Sequence, residues 1–318
     1  MLDLKGKPMN SKILVIGSSN VDFLIKGNIL PMRGETVTGG TFLQTYGGKG
    51  ANQALAAARA GGEVTFVSCL GDDIYSKEII HNFNKDGIDS RFMFIERKLP
   101  TGAALIMLDG KGENYLSVAP GANYSLTPDR IDNIAELIKE TETIVLQMEI
   151  PIETNEKAIE LACRYDKPVV FNFAPFRKVD FGFLRNVTVL VVNETEAASI
   201  TGQRVETDED VRVAAHVLKD MGPRIVVITL GANGVLIITD SEVSFVPAFK
   251  VDVQDTTAAG DVFCGGLAVA LSQGLALPKA VRLASAASAV CVTRIGAQPS
   301  VPYQSEIAAF LKEHTVHS

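Results

Sequence analysis

The chain has 318 residues, 47% hydrophobic and 21% charged, with 30 Lys and Arg against 37 Asp and Glu for a formal charge of −7. This composition excludes disordered and fibrous classes, and the scattered basic residues in an acidic chain give no general attraction to nucleic acid. No uncharged run reaches the ~18 residues of a membrane helix.

The first residues, MLDLKGKPMNSK, are polar and lack the apolar centre of a signal peptide. Cys69, Cys163, Cys264 and Cys291 stand far apart, in no metal or redox spacing, and read as reduced core thiols. The expectation is a cytoplasmic protein without nucleic-acid or membrane partners. From Ile13, short β-branched runs alternate with helical stretches: ILVIG, 52–60, VTFVSC, 74–86, TIVLQM, 153–165, PVVFNF, VTVLVV, 207–220 and RIVVITL. That pitch predicts an α/β fold, a doubly wound and mostly parallel sheet with helices on both faces. The segments 22–46 and 91–118 break the rhythm, alternating with period two and carrying turn residues but no helix. Together they predict a small inserted antiparallel β-sheet that acts as a lid, with glycines at its junctions for hinges. VLIITD and EVSFVPAF read as a hairpin, followed by helices over 260–272, 278–293 and 303–313. Without internal repeat or linker, residues 1–318 read as one domain bearing the lid.

Candidate chemistry also falls in chain order. GSSNVD places Asn20 and Asp22 at the end of the first core strand, where short polar groups either form a turn or bind neighbouring hydroxyls. In TYGGKGANQ, Gly47 and Gly48 precede a helix starting near Asn52, so Lys49 and Asn52 face a polar ligand or simply follow a tight turn. The spacing is not that of a P-loop. Glu149 follows another strand in LQMEIP. Asn193 and Glu196 fit a helix capping box, or an Asn near phosphates with an acid accepting from Mg²⁺-bound water. VVITLGANGV brings Thr229, Gly231 and Gly234 to a strand end that suits a nucleotide or a plain turn.

The strongest signal is DTTAAGDVFCGG, residues 255–266, in which small residues lead into a helix beginning near Gly260. The amides of Ala258, Ala259, Gly260 and Asp261 would converge at a helix N-terminus, an anion hole for a phosphoryl group in transfer. Asp261 there suits proton acceptance from an attacking hydroxyl, for which positioning matters more than basicity. His81, His216, His314 and His317 lie in helical stretches or the tail and receive no catalytic role.

GGKGANQA, NETEA, TLGANGV, DTTAAGD and GAQPSVP occur here in the order and spacing of ribokinase-like proteins, and from about Ile13 to Phe310 the chain resembles the PfkB carbohydrate kinase family. The resemblance implies transfer of the γ-phosphoryl group of ATP to O5 of D-ribose, with Asp261 abstracting the O5 proton and the amides of 258–261 forming the anion hole. It implies sugar contacts by Asn20, Asp22, Gly48, Lys49, Asn52 and Glu149. It assigns ATP to Asn193, Thr229, Gly231, Gly234, Gly260 and Ser285, with Ser285 standing where relatives often carry Asn or His. Glu196 would support Mg²⁺. K⁺ would lie at Asp255, Thr257, Cys291, Arg294, Gly296 and Ser300, mostly through carbonyls. Paired lids would make a homodimer. Related deoxyribose kinases tend to place an apolar residue, often Met, at the position of Asn20, so Asn20 favours ribose. Kinases of another sugar or a nucleoside, and a sugar sensor without turnover, are the competing readings. The Asp261 string and the Asn193–Glu196 pair argue against the sensor.

Overall fold

The computed structural model describes residues 11–110 and 114–315; the N-terminal tail, the 111–113 part of the expected lid, and His317 lie outside the described residues. The chain opens with β1 (Lys12–Ile16), β2 (Asn20–Lys26), β3 (Thr41–Gly47), α1 (Lys49–Arg59), β4 (Glu63–Gly71), α2 (Ile74–Lys85) and β5 (Met93–Glu96). β6 (Gly102–Leu108), β7 (Asn114–Ala119), α3 (Pro128–Asp132), α4 (Ala135–Glu140), β8 (Thr143–Gln147), α5 (Ile152–Arg164), β9 (Val169–Asn172), β10 (Val189–Asn193) and α6 (Glu194–Thr201) follow. The last third holds α7 (Asp208–Asp220), β11 (Ile225–Thr229), β12 (Val235–Ile238), β13 (Val243–Val246), α8 (Ala259–Ser272), α9 (Leu277–Val292) and α10 (Gln304–Thr315).

Among the described residues, nine strands form one sheet in the order β13-β12-β11-β10-β9-β8-β1-β4-β5. Its pairings are parallel from β5 to β11, and β12 and β13 close the edge as the expected antiparallel hairpin. The central strands are apolar on both faces because each face is covered. Ile13 and Val15 of β1 join a core with α1, α8 and α9, whereas Leu14 and Ile16 join a second core with α5 and α7. From β1 the chain winds one way to β4 and β5, and from β8 it winds the other way. The sheet therefore has its topological switch between β1 and β8, the place where open α/β sheets form ligand crevices.

The second sheet, ordered β3-β2-β6-β7, differs from expectation in two respects. Its central pair, β2 with β6, is parallel, in register from Asn20–Gly102 to Lys26–Leu108, so only its outer pairings are antiparallel. Residues 93–96, inside the segment expected to belong to it, pair with β4 at the edge of the large sheet. A four-residue alternating run carries no mark of which sheet it joins; the path out of α2 settles that. Asn20, the first residue of β2, pairs with Gly47, the last of β3, so the small sheet is rooted directly at the ends of the strands that form the crevice.

Helices α1 and α8 pack closely against each other over the same face. α8 is apolar almost all round, with ten buried residues, and α1 is rich in alanine. A Cβ built on Gly265 would stand 2.7 Å from the Ala56 Cβ and from the Gln53 carbonyl, and 2.8 Å from the Ala57 amide. Gly265→Ala gains about 1 kcal/mol of helix propensity but forces the two backbones apart at a cost of ~1–3 kcal/mol. The expected outcome is a lower urea midpoint together with reduced turnover, since the displaced helix carries Asn52 and Gln53; a midpoint raised above the parent's with turnover kept would show that the helices are not in backbone contact.

Candidate active site

The polar residues singled out in the sequence gather at the carboxyl ends of the large sheet. α8 begins at Ala259 after Ala258 in a left-handed conformation, φ 61°, and turns its first amides toward the crevice. Among the described residues the amides of Ala258, Gly260 and Asp261 have no backbone acceptor, while that of Ala259 is taken by the Thr256 carbonyl at 3.2 Å. Of the four amides expected to form an anion hole, three are thus free of a backbone acceptor among the described residues, because a tight turn at 256–259 consumes one.

Asp261 sits in the first turn of α8, 5% exposed. Its Oδ2 accepts from Asn52 Nδ2 at 3.0 Å and its Oδ1 from Gln53 Nε2 at 3.0 Å. Both donors come from α1, which starts at Lys49, three residues earlier than the sequence suggested. That start is possible because Gly48 adopts φ 92° and because a Cβ there would press within 3.0 Å of the Asn20 amide and the Ser19 Cα. Lys49 lies between the carboxylates of Asp261, Glu149 and Glu196; chiefly Asp261, against the opposing effect of burial, holds its ammonium above the usual lysine range.

On one side of Lys49, Glu149 Oε2 accepts from the Ser18 hydroxyl at 2.6 Å and from the Lys49 amide at 2.9 Å. Asn20 is 3% exposed, and its Oδ1 accepts from Asn123 Nδ2 at 2.8 Å, leaving its own Nδ2 as a donor. Asn123 is oriented in turn by the Ser19 amide at 2.9 Å. Asn20 and Glu149 line a pocket of about 160 Å³ with Tyr124 and Arg177. Asp22, two residues along β2, approaches Gly47 so closely that a Cβ there would meet its Oδ2 at 2.0 Å. Burial, then the neighbouring Glu149, pushes the Asp22 carboxyl up to about 7.

On the other side, Lys49, Asp261, Gly260, Asn193 and Glu196 line a polar cavity of about 180 Å³. The capping box reading is borne out. The Asn193 side chain accepts from the Glu196 amide at 2.8 Å, and Glu196 Oε2 accepts from the Asn193 amide at 2.9 Å. Among the described residues Glu196 Oε1 carries no hydrogen bond, and burial raises this carboxyl above the usual range. A larger cleft of about 450 Å³ continues from this cavity, sharing Thr229, Thr256, Ala259 and Gly260 with it, and is otherwise lined by Gly231, Gly234, Phe249 and Ser285 among others. The buried Ser285 hydroxyl has no partner among the described residues. His81, His216 and His314 line none of these cavities.

The six positions named for a monovalent cation also come together. Asp255 Oδ1 accepts from the Thr257 amide and hydroxyl at 2.8 and 2.6 Å, and its Oδ2 from the Gly296 amide at 2.8 Å, tying the loop before α8 to the segment after α9. Ser300 Oγ lies 3.0 Å from Cys291 Sγ. Among the described residues the carbonyls of Asp255, Gly296 and Ser300 accept no backbone hydrogen bond. Such hard, unpaired oxygens suit a cation held by carbonyls. The Arg294 side chain turns away to Glu306, leaving only its backbone for such a role.

Gln53, Asn172, Asn123 and Ser18 went unnoticed in the sequence. Gln53 is adjacent to Asn52 on a helix, where neighbours point about 100° apart, and only the carboxylate lying between the two side chains unites them.

The fold and these motifs have counterparts. The model of the pfkB family carbohydrate kinases matches residues 10–304. A ribokinase of Haemophilus influenzae is 36% identical over 96% of this chain and 99% of its own length, and a deoxyribokinase of Salmonella typhi is also 36% identical, over 94% and 98%. Among solved structures, a ribokinase from Thermotoga maritima is 39% identical with a TM-score of 0.86, covering 94% of this chain and 99% of its own. The Arabidopsis thaliana ribokinase complexed with ribose and ATP is 30% identical with a TM-score of 0.89, covering 95% and 99%. With order, spacing, fold and crevice in agreement, the chain belongs to the pfkB family of carbohydrate kinases.

Proposed function

We propose that this chain phosphorylates D-ribose at O5 with ATP, working as one catalytic domain whose small sheet closes as a lid. The observation that carries the reading is a buried carboxylate, Asp261, at a helix N-terminus beside a polar cavity, with the pocket of Asn20 and Glu149 to one side and the 450 Å³ cleft to the other. Identity to a ribokinase and to a deoxyribokinase is the same, so relatedness does not choose the sugar. Asn20 does. Its oxygen is occupied by Asn123, its free Nδ2 donates to a sugar hydroxyl, and a sugar lacking that hydroxyl leaves a buried donor unpaired.

In the reaction Asp261 takes the proton of the O5 hydroxyl; O5 bonds to the γ-phosphorus as the bond to the β,γ-bridging oxygen breaks, and ADP leaves with that electron pair. The free amides of Ala258, Gly260 and Asp261, with the α8 dipole, stabilise charge on the phosphoryl oxygens. Lys49 offsets the anionic charge gathered between sugar and nucleotide. Asn20, Asp22, Gly48, Lys49, Asn52 and Glu149 hold the sugar; Asn193, Thr229, Gly231, Gly234 and Ser285 hold ATP. Glu196, which lines the cavity, would hold Mg²⁺ through a bound water, and the ion would supply neutralisation of phosphate charge. The carbonyls of Asp255, Gly296 and Ser300 would hold K⁺, which would supply order to the loop before α8. On the face of the lid that carries Asn20 and Asp22, Leu43, Leu116 and Val118 are exposed, an apolar surface suited to pairing two chains into a homodimer, while Ile25, Phe42 and Leu105 are exposed on the opposite face. The free thiols, three buried and Cys163 exposed rather than in the core as expected, suit a cytoplasmic location.

ADP release with MgATP and ribose, 2-deoxyribose, fructose, adenosine or no sugar, each in K⁺ and in Na⁺, tests the reading: turnover is expected with ribose and stimulated by K⁺. Equal kcat/KM for ribose and 2-deoxyribose would reject the role of Asn20, and binding of sugar without ADP release would revive the sensor. Asp261→Asn is expected to lower kcat by roughly 10²–10⁴-fold with substrate affinities largely kept. A rise in KM at unchanged kcat would make Asp261 a binding group only.

The elevated Asp22 carboxyl adds a pH dependence. The charged form accepts two hydrogen bonds, so KM for ribose is expected to fall as pH rises through about 7, and Asp22→Asn to raise KM and flatten the profile. For stability the sign reverses. A folded value near 7 against an ordinary 3.8 favours the folded state most below about 4, and that contribution is lost as pH rises to about 7. Asp22→Asn therefore gains stability relative to the parent at about pH 8 compared with about pH 4. Parallel unfolding curves at the two pH values would rule out an elevated Asp22.

A further inference from the structure

We propose that Gln53 is a positioning residue for Asp261, through which the sheet backbone sets the direction of the catalytic carboxylate. The inference rests on the reading of Asp261 as the base. Gln53 is fully buried on α1. A carboxylate only accepts, so the amide nitrogen of Gln53 must face Asp261, and its two hydrogens go to Asp261 Oδ1 at 3.0 Å and Asn172 Oδ1 at 3.1 Å. The nitrogen of Asn172 continues to the Val191 carbonyl at 3.3 Å. An unbroken series thus runs from the backbone of β10 through β9 and α1 to the first turn of α8. Asn52 holds the other oxygen of Asp261, so the carboxylate cannot rotate about χ2 without losing a bond at each end. Each oxygen keeps a lone pair free, and Asp261 is among the residues that line the cavity.

The cost of this arrangement is visible. Among the described residues Gln53 Oε1 is buried without a partner. An apolar side chain of the same length would fill the space and remove this orphaned oxygen, but it would leave Asp261 Oδ1 and Asn172 Oδ1 without their shared donor. Only the pair of N–H donors distinguishes the amide. The other titratable groups that face Asp261 are Lys49 on α1, Glu196 on α6, Cys264 on α8 and Cys291 on α9. None of them is hydrogen-bonded to it among the described residues.

The test compares Gln53→Met, which keeps length and removes the donors, with Gln53→Glu, which restores a donor only when protonated, using Asp261→Asn as reference. In assays with MgATP and ribose, Gln53→Met is expected to lower kcat by roughly 10–100-fold, the penalty of a misaimed reacting group, while both KM values stay within about 3-fold. For Gln53→Glu, kcat relative to the parent is expected to climb several-fold as pH falls from about 8 to about 6. Over that range a carboxylate facing Asp261 becomes a carboxyl that donates to it. This pH-dependent rescue is not expected of a residue that merely fills space. Parental kcat in Gln53→Met, a loss confined to KM, or a pH-independent ratio in Gln53→Glu would each overturn the proposal. Full turnover by Asp261→Asn would remove the base itself and Gln53's role with it.

Discussion

A carboxylate 5% exposed at the start of an apolar helix is the constraint on which the rest of this architecture depends. Buried charge is tolerated only where hydrogen bonds replace water, and an aliphatic α8 supplies none from its own side chains. The donors come instead from α1, and they reach Asp261 only because the two helices touch backbone to backbone at Gly265. Helix packing, commonly a matter of stability, here determines whether the Asp261 carboxylate is oriented at all.

The doubly wound sheet explains why the remaining groups converge. Parallel strands end on one side, so Asn172, Asn193 and Thr229 come to one rim together with Glu149, just beyond β8. The switch between β1 and β8 opens the crevice there. β2 leaves that rim at Asn20 and β3 returns to it at Gly47, giving the small sheet two covalent roots beside the pocket of Asn20 and Glu149. Any movement of that sheet is therefore transmitted to Asn20, Asp22 and Gly48 over a few residues.

Much of this was legible beforehand. Strand and helix succession from Ile13 to the 225–229 strand is written in β-branched runs of five or six residues, which physics leaves few ways to bury. The Asp261 string and the Asn193 capping box were legible because helix N-termini have local chemistry. What resisted reading was non-local. The 93–96 strand joined the large sheet, the β2–β6 pairing was parallel, and the Thr256 carbonyl withdrew one amide from the anion hole. Gln53 and Asn123 escaped because their partners are 208 and 103 residues away.

The sequence by itself determined the class of fold, the placement of Asp261 at a helix start and the family, because periodicity, caps and ordered motifs are local properties that survive any packing. Only the tertiary structure decided which amide nitrogens face the site, how many anion-hole donors are free, and that Asp22 is held near 7. Those are consequences of burial and of contacts between distant segments, and neither exists until the helices and sheets have met.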